Sequence, residues 1–260
     1  LSRELRESGR KGYVLGLSGG LDSSTALAIA ARSVERERIL ALIMPDPDVT
    51  PQSDVDDALS LARALGVRHH VINISPIIEV FKGAIPIYES EEVDRVPLGN
   101  LRARVRMCLL YYYANKLDYL VLGTSDRSEL MIGYYTKYGD GAADIAPLAV
   151  LYKTQVRRFA LHLGLPERIA FKPSAPRLWR DHEAEKELGI SYDQIDLVLY
   201  AKLDLGYSES EIPTVTGVPE QVVRRVIEMY ERSAHKRLGV KTPDLEPIRE
   251  LMARRAPRGG

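Results

Sequence analysis

Only one cysteine, Cys108, occurs in the 260 residues. A single thiol excludes a disulfide framework and any cysteine-rich metal site, and it suits a reducing cytoplasm. No apolar run approaches the roughly 20 residues that a membrane-spanning helix needs. The formal net charge is +0, so no overall field draws the chain to nucleic acid or to a membrane. Internal repeats, low-complexity tracts and a flexible interdomain linker are also missing. The opening residues 1–7 are charged and helical in pattern, unlike a signal peptide, and a start at Leu1 instead of methionine implies a trimmed N-terminus. Zinc has no Cys/His spacing to support it: His69 and His70 are neighbours on a strand and point to opposite faces. No convincing nucleophile and base pair is visible either.

What is present begins with the hydrophobic fraction, 45%, enough to bury a substantial core in one α/β domain spanning residues 1–260. Residues 13–17, 39–44, 68–74 and 119–122 read as strands. Residues 53–65, 76–81 and 98–117 read as helices between them, with Gly66 as a stop and 83–96 as irregular chain. Strand-then-helix repeats imply right-handed crossovers and a doubly wound parallel sheet. Gly123-Thr124-Ser125-Asp126 caps the next helix, and beyond Asp126 the chain becomes a helical C-terminal part, with helices expected at 152–163, 192–203 and 219–233, a weaker one at 243–255, and a frayed tail at 257–260. Along 98–117, Leu101, Val105, Cys108, Leu109 and Tyr112 form the apolar stripe.

The stretch Ser18-Gly19-Gly20-Leu21-Asp22-Ser23-Ser24 joins the first strand to a helix. Paired glycines let backbone N–H groups approach an anion, and Ser23 and Ser24 add hydroxyls at the positive end of the helix. No Gly-Lys-Ser/Thr follows, so this is not the common P-loop. A nest of this kind grips two linked phosphates and suits pyrophosphate as a leaving group. Asp22 beside phosphates makes sense as a Mg²⁺ ligand, with Glu129, near the same sheet edge, as its partner. The plainer readings are a helix N-cap for Asp22 and a solvated first-turn carboxylate for Glu129.

In such sheets ligands sit beyond the carboxyl ends of the strands. The turn after strand one, residues 45–50 after strand two and Thr124 after strand four therefore share one candidate site. Residues 133–141, with Lys137 among tyrosines and glycines, form either a plate for a ring with a cationic hook or a turn-rich connection. Arg102, Arg104 and Arg106 cannot share one helix face, so at least one meets solvent while the others could meet an anion. His235-Lys236 ends a long helix, where positive charge complements the dipole. Trp179 and the run Tyr111-Tyr112-Tyr113 read as packing or interface residues.

Residues 18–23 resemble the signature of the ATP pyrophosphatases, and over nearly its whole length the chain resembles NAD synthetase of the ammonia-dependent type. Gly99-Asn100 with Ala103-Arg104, Gly123-Thr124 with Glu129, Gly133 through Asp144, Leu151 through Val156, Glu187 through Ile190 and His235-Lys236 follow in the order of that family. The resemblance implies an α/β fold of the adenine nucleotide alpha hydrolase-like kind. It also implies a cytoplasmic ligase that amidates deamido-NAD with ATP and ammonia in the last step of NAD biosynthesis. ATP would be held by Gly16, Leu17, Ser18, Gly19, Gly20, Leu21, Asp22, Ser23, Thr124, Lys153 and Ser174. Mg²⁺ would be held by Asp22 and Glu129, and catalysis would rest on Asp22, Lys153 and Glu129. Deamido-NAD would meet Arg104, Lys137, Asp144, His235 and Lys236, partly across a homodimer interface.

Two departures stand out. On the alignment through Leu178-Trp179 the family's ATP-side hydroxyl falls on Ala175, with Ser174 one residue early, and His182 replaces a frequent glutamine. Residues 172–187 are expected to close as a lid. A glutaminase route needs a further domain for which 260 residues leave no room, so ammonia is the expected nitrogen donor. The alternatives are another ATP-pyrophosphatase amidase of the GMP-synthetase kind, a tRNA-thiolating enzyme, or a non-catalytic nucleotide sensor. A lone cysteine inside an apolar helix argues against thiolation, and retention of Asp22, Glu129 and Lys153 argues against the sensor.

Overall fold

Four short strands, three of them apolar, set the frame of the computed structural model, which describes residues 1–240 with 242, 243, 245, 246 and 248. They are β1 (Gly12–Gly16), β2 (Ile39–Ile43), β3 (Arg68–Val71) and β4 (Tyr119–Val121), all parallel in the order β3-β2-β1-β4. After α1 (Ser2–Ser8), the helices of this half are α2 (Leu21–Ser33), α3 (Gln52–Ala64), α4 (Ser75–Ala84) and α5 (Arg95–Leu117). Alternate strand residues feed two cores. Tyr13, Leu15, Ile39 and Ala41 pack with α2, α3 and the later helix Lys153–His162, while Val14, Leu40, Leu42 and Val121 pack with α4 and α5.

The chain runs from β1 outward to β2 and β3, then crosses back to place β4 on the other side of β1. The strand order reverses between β1 and β4, so their carboxyl ends flank a crevice. After β4 come α6 (Arg127–Ile132), α7 (Lys153–His162), α8 (Glu167–Ala170), α9 (Ala184–Leu188), α10 (Tyr192–Leu203), α11 (Ile212–Thr216), α12 (Glu220–Arg232) and α13 (Ala234–Arg237). A third core, with Ile132, Tyr192, Ile195, Leu199, Val223 and Val226, joins α6 to α10 and α12. This is the expected helical C-terminal part, and it supplies one wall of the crevice.

Several boundaries move. The third strand stops at Val71, not at 74, because Ile74 already sits in the α-region as the N-cap of α4. That helix reaches Ala84, past the expected 81, and α5 starts at Arg95 with Pro97 in its first turn, where a missing N–H costs little. The stripe expected on α5 is only partly inward: Val105 is buried, whereas Cys108 and Tyr112 are exposed. Cys108 is thus a surface thiol, not an interior one, because α5 packs on the sheet through Leu98, Val105 and Ala114. The helix read at 243–255 and the tail at 257–260 lie, for the most part, outside the described residues.

Candidate active site

The turn after β1 is shaped by what a side chain would strike. At Gly19, φ is +77° and a Cβ would lie 2.1 Å from the Asp54 carbonyl oxygen, so only glycine lets α3 pack this close. Helix α2 starts at Leu21 with Gly20 as N-cap and no side-chain cap, leaving its first N–H groups free for an anion. Ser23 Oγ accepts from Ser18 N at 3.1 Å and donates to Gly20 O at 3.3 Å, closing the turn upon itself. Ser24, expected as a further donor, is fully buried behind the turn with its hydroxyl unpartnered.

Across the crevice, the chain leaves β4 and passes through Gly123-Thr124 to Asp126, the N-cap of α6. Asp126 Oδ1 accepts from Glu129 N at 2.8 Å, completing a capping box with Glu129. That cap turns both carboxylates toward Asp22. Oxygens of Asp22, Asp126 and Glu129 lie within 4.8 Å of one another. Into their midst comes Lys153 Nζ, 2.7 Å from Asp22 Oδ2, 2.8 Å from Glu129 Oε1 and 3.0 Å from Asp126 Oδ2.

Lys153 opens α7, and its backbone N–H is fixed by Ser128 Oγ at 2.9 Å. Buried Asp196 on α10 accepts from Ser128 Oγ at 2.5 Å and from Thr154 N at 2.8 Å. Tyr192 covers the lysine, its ring centroid 4.9 Å from Nζ. Burial would lower the Lys153 ammonium's pKa, but the three carboxylates outweigh it and hold the group well above the ordinary value. Burial and carboxylate crowding push Asp126 up to about 7, and burial is also the main cause raising Glu129.

The expected pair Asp22 and Glu129 is thus brought together, with Asp126 as a third carboxylate that its reading as a cap concealed. Its position three residues before Glu129 at a helix start was the available signal. All three groups offer hard oxygen ligands, and Asp22 Oδ1 is buried without a hydrogen-bond partner. This donor set suits Mg²⁺.

The turn, Asp22, Glu129 and the start of α7 line one cavity of about 450 Å³, with Asp126 fully buried behind its wall. Gly16, Leu17, Ser18, Gly20, Leu21, Asp22, Ser23, Thr124, Lys153 and Ser174 all reach it, as does Ala175, while Gly19 serves behind it as backbone. The segment 172–187 covers the cavity. Lys172 Nζ donates to Gly19 O at 3.1 Å and to Asp57 Oδ2 at 2.8 Å, Arg177 Nε meets Asp54 Oδ2 at 2.9 Å, and Ala184 N donates to Ser174 O at 2.8 Å. Trp179 stacks on His182 at 3.5 Å, and His182 Nε2 lies 2.8 Å from Glu187 Oε2 and 2.9 Å from the Tyr134 hydroxyl. Burial depresses the His182 pKa despite Glu187. The replacement of glutamine by histidine therefore packs inside the cover.

Of the three arginines, Arg104 is exposed, as one had to be, and Arg102 meets an anion within the chain. Arg102 Nε donates to Asp46 Oδ2 at 2.6 Å and Nη1 to Leu178 O at 3.0 Å, tying the cover to the end of β2. Asp46 as the anion that Arg102 meets went unrecognised in the sequence because their pairing spans 56 positions.

Of the residues expected to meet deamido-NAD, four gather and Asp144 stands apart. Lys236 lines the cavity, its Nζ donating to Gly133 O at 2.6 Å and Tyr135 O at 2.7 Å. Arg104, Lys137 and His235 gather beside it: Arg104 Nη2 donates to Lys137 O at 3.3 Å, and Lys137 Nζ to His235 O at 2.7 Å. Asp144 stands apart beyond β4, where Oδ2 accepts from Val121 N at 2.7 Å and Oδ1 from the Tyr111 hydroxyl at 3.4 Å.

Residues 1–239 match the family model for NAD synthase. The chain is 58% identical over 250 residues to the NH(3)-dependent NAD(+) synthetase of Aeropyrum pernix, covering 96% of this chain and 87% of that one. It is 55% identical over 240 residues to the enzyme of the same name from Hyperthermus butylicus, covering 92% and 86%. Among solved structures, an NMN synthetase from Francisella tularensis is similar with a TM-score of 0.80 and 34% identity over 94% of each chain. The NH3-dependent NAD synthetase from Campylobacter jejuni, in complex with nitrate, gives 0.76 and 29% over 94% of each. With the parallel sheet of the adenine nucleotide alpha hydrolase-like fold and a family match across both halves, the chain belongs to the NAD synthase family.

Proposed function

We propose that the cavity between β1 and β4 binds ATP and deamido-NAD, adenylates the nicotinate carboxylate and passes the acyl group to ammonia. The NAD synthase family catalyses ATP-dependent amidation of deamido-NAD to NAD, and its members are C–N bond-forming ligases. The observation that carries the reading is an uncapped helix start after a glycine turn, sharing one cavity with Asp22, Glu129 and Lys153, with Asp126 buried behind them. In this scheme a carboxylate oxygen of the nicotinate attacks the α-phosphorus, and the α–β P–O bond breaks. Pyrophosphate departs toward the N–H groups at Ser18–Ser23. Ammonia then adds to the carbonyl carbon, a nitrogen proton is lost to solvent, and the C–O bond breaks to release AMP and the amide.

Asp22, Glu129 and the newly found Asp126 would hold Mg²⁺, which supplies charge neutralisation at the phosphates when bound. Thr124 and Ser174 offer hydroxyls on the cavity wall, and Lys153 a cation for the phosphates. Orientation and charge screening supply the rate without a side-chain nucleophile, while the cover over 172–187 keeps water from the mixed anhydride.

Residues 1–240 act as one unit in this reading, since both halves line the cavity. A homodimer is supported by the spread of the deamido-NAD residues, with Asp144 outside the cavity, and by the apolar surface of Val80, Ile87, Val93 and Val96. Mass measurement in solution tests it, twice the chain mass being expected. A cytoplasmic site is supported by exposed Cys108. The activity is tested with ATP, Mg²⁺, ammonium and either deamido-NAD or its mononucleotide, nicotinate mononucleotide. NAD formation from the dinucleotide in preference is expected. A clear preference for the mononucleotide would move the chain toward the activity named for the Francisella tularensis neighbour.

A further inference from the structure

The ammonium of Lys153 stands where a metal ion would be expected. Its Nζ lies within 3.0 Å of one oxygen from each of Asp22, Asp126 and Glu129, and the side chain is 1% exposed. The backbone cannot carry it elsewhere, because the N–H groups of Lys153 and Thr154 are anchored to Ser128 and, through Asp196, to α10. Only the side chain is free to move. A divalent ion seeking the same oxygens meets a positive charge in contact distance, and repulsion at this range inside a protein is severe.

From this we propose that Lys153 is the resident cation of the carboxylate pocket in the nucleotide-free enzyme, so that the pocket takes up a divalent metal only when a triphosphate draws the ammonium away. The inference rests on the ATP-and-metal reading of the cavity given above. Oxygens of three carboxyl groups surround one ammonium, so a doubly charged ion can take its place once Lys153 has another anion to meet. A triphosphate on the turn at Ser18–Ser23 supplies that anion in the same cavity. Asp126 has a stated part here: its Oδ1 is engaged as a helix cap, while Oδ2 has no hydrogen-bond donor and faces only Lys153. The exchange makes metal and nucleotide binding mutually dependent, a linkage that works equally in both directions.

Mn²⁺ provides the test, since its free form is counted by electron paramagnetic resonance. Wild type and Lys153→Met are titrated with Mn²⁺ without nucleotide. The variant is expected to bind at least tenfold more tightly, and equal affinity would overturn the proposal. A second measurement uses only the wild-type chain and so survives a variant that fails to fold. Its melting temperature is followed with Mn²⁺ alone, with α,β-methylene-ATP alone and with both. No shift from Mn²⁺ alone and a larger shift from the pair than from the nucleotide are expected. A shift from Mn²⁺ alone equal to its increment in the presence of nucleotide refutes the linkage. Neither readout needs turnover, so failure of the proposed amidation would be seen separately, in the NAD assay.

Discussion

Arg102 offers the sharpest energetic test of how the cover is held. Its guanidinium and the Asp46 carboxylate are 2% and 1% exposed, joined at 2.6 Å, with Ser75 Oγ donating to Asp46 at 2.7 Å and Leu178 O accepting from Arg102 at 3.0 Å. Burial alone would raise the Asp46 pKa, but the Arg102 and Ser75 hydrogen bonds hold it below the ordinary carboxylate value. Arg102→Met keeps most of the volume and strands a buried anion, which costs about 3–5 kcal/mol. For a chain of this size that lowers the melting temperature by roughly 6–20 °C. Asp46→Asn leaves the Arg102 cation with Glu91 Oε1, 3.4 Å from Nη2, as its remaining carboxylate, so the double variant is expected to cost less than the sum of the singles by about 2–3 kcal/mol. Because Leu178 O loses its donor, the KM for ATP rises more than kcat falls. Denaturant unfolding of the four proteins, with initial rates, measures all of this. A melting shift under about 2 °C for Arg102→Met, or strict additivity, would refute the reasoning.

Asp22→Asn is expected to lower kcat by about 100-fold or more, the scale of losing one transition-state charge contact, while circular dichroism shows the fold retained. Full activity would remove Asp22 from the metal site. Gly19→Ala sets a Cβ 2.1 Å from Asp54 O at φ +77°. It is expected to cost at least about 1–2 kcal/mol in backbone strain, seen as a lower melting temperature, and to raise the KM for ATP. His182 has a pKa depressed by burial, so the unfolded chain takes its proton first as pH falls below about 6.5. Its stabilising effect is present above that value and lost below it. The difference in melting temperature between wild type and His182→Gln should therefore change between pH 7.5 and 5.5, and a constant difference would contradict the assignment.

The parallel sheet was legible because three strands are short apolar runs and the third in sequence, from Arg68, alternates, and the cradle because glycine pairs before a helix have few other uses. Asp22 and Glu129 could be matched through their places at neighbouring strand ends. Asp126 was legible as a cap, yet a cap's second oxygen shows no direction in a sequence. The Arg102–Asp46 pair and the support of Lys153 by Asp196 join elements 56 and 43 positions apart, and no local period reports such contacts. Cys108 misled for a related reason: a helix packed on a sheet over part of its length buries only part of its apolar stripe. Of the residues expected to meet deamido-NAD, Arg104, Lys137, His235 and Lys236 gather at one place while Asp144 lies beyond β4, a grouping that no local spacing in the sequence reports.

The central claim is that this cavity joins a carboxylate to the α-phosphorus of ATP before ammonia arrives. Deamido-NAD labelled with ¹⁸O in its nicotinate carboxylate, turned over with ATP, Mg²⁺ and ammonium, tests it directly by mass spectrometry of the products. One labelled oxygen is expected in the phosphate of AMP for each NAD formed, with unlabelled pyrophosphate released alongside. Label in orthophosphate, accompanied by ADP, would mean transfer of the terminal phosphoryl group and would contradict the account.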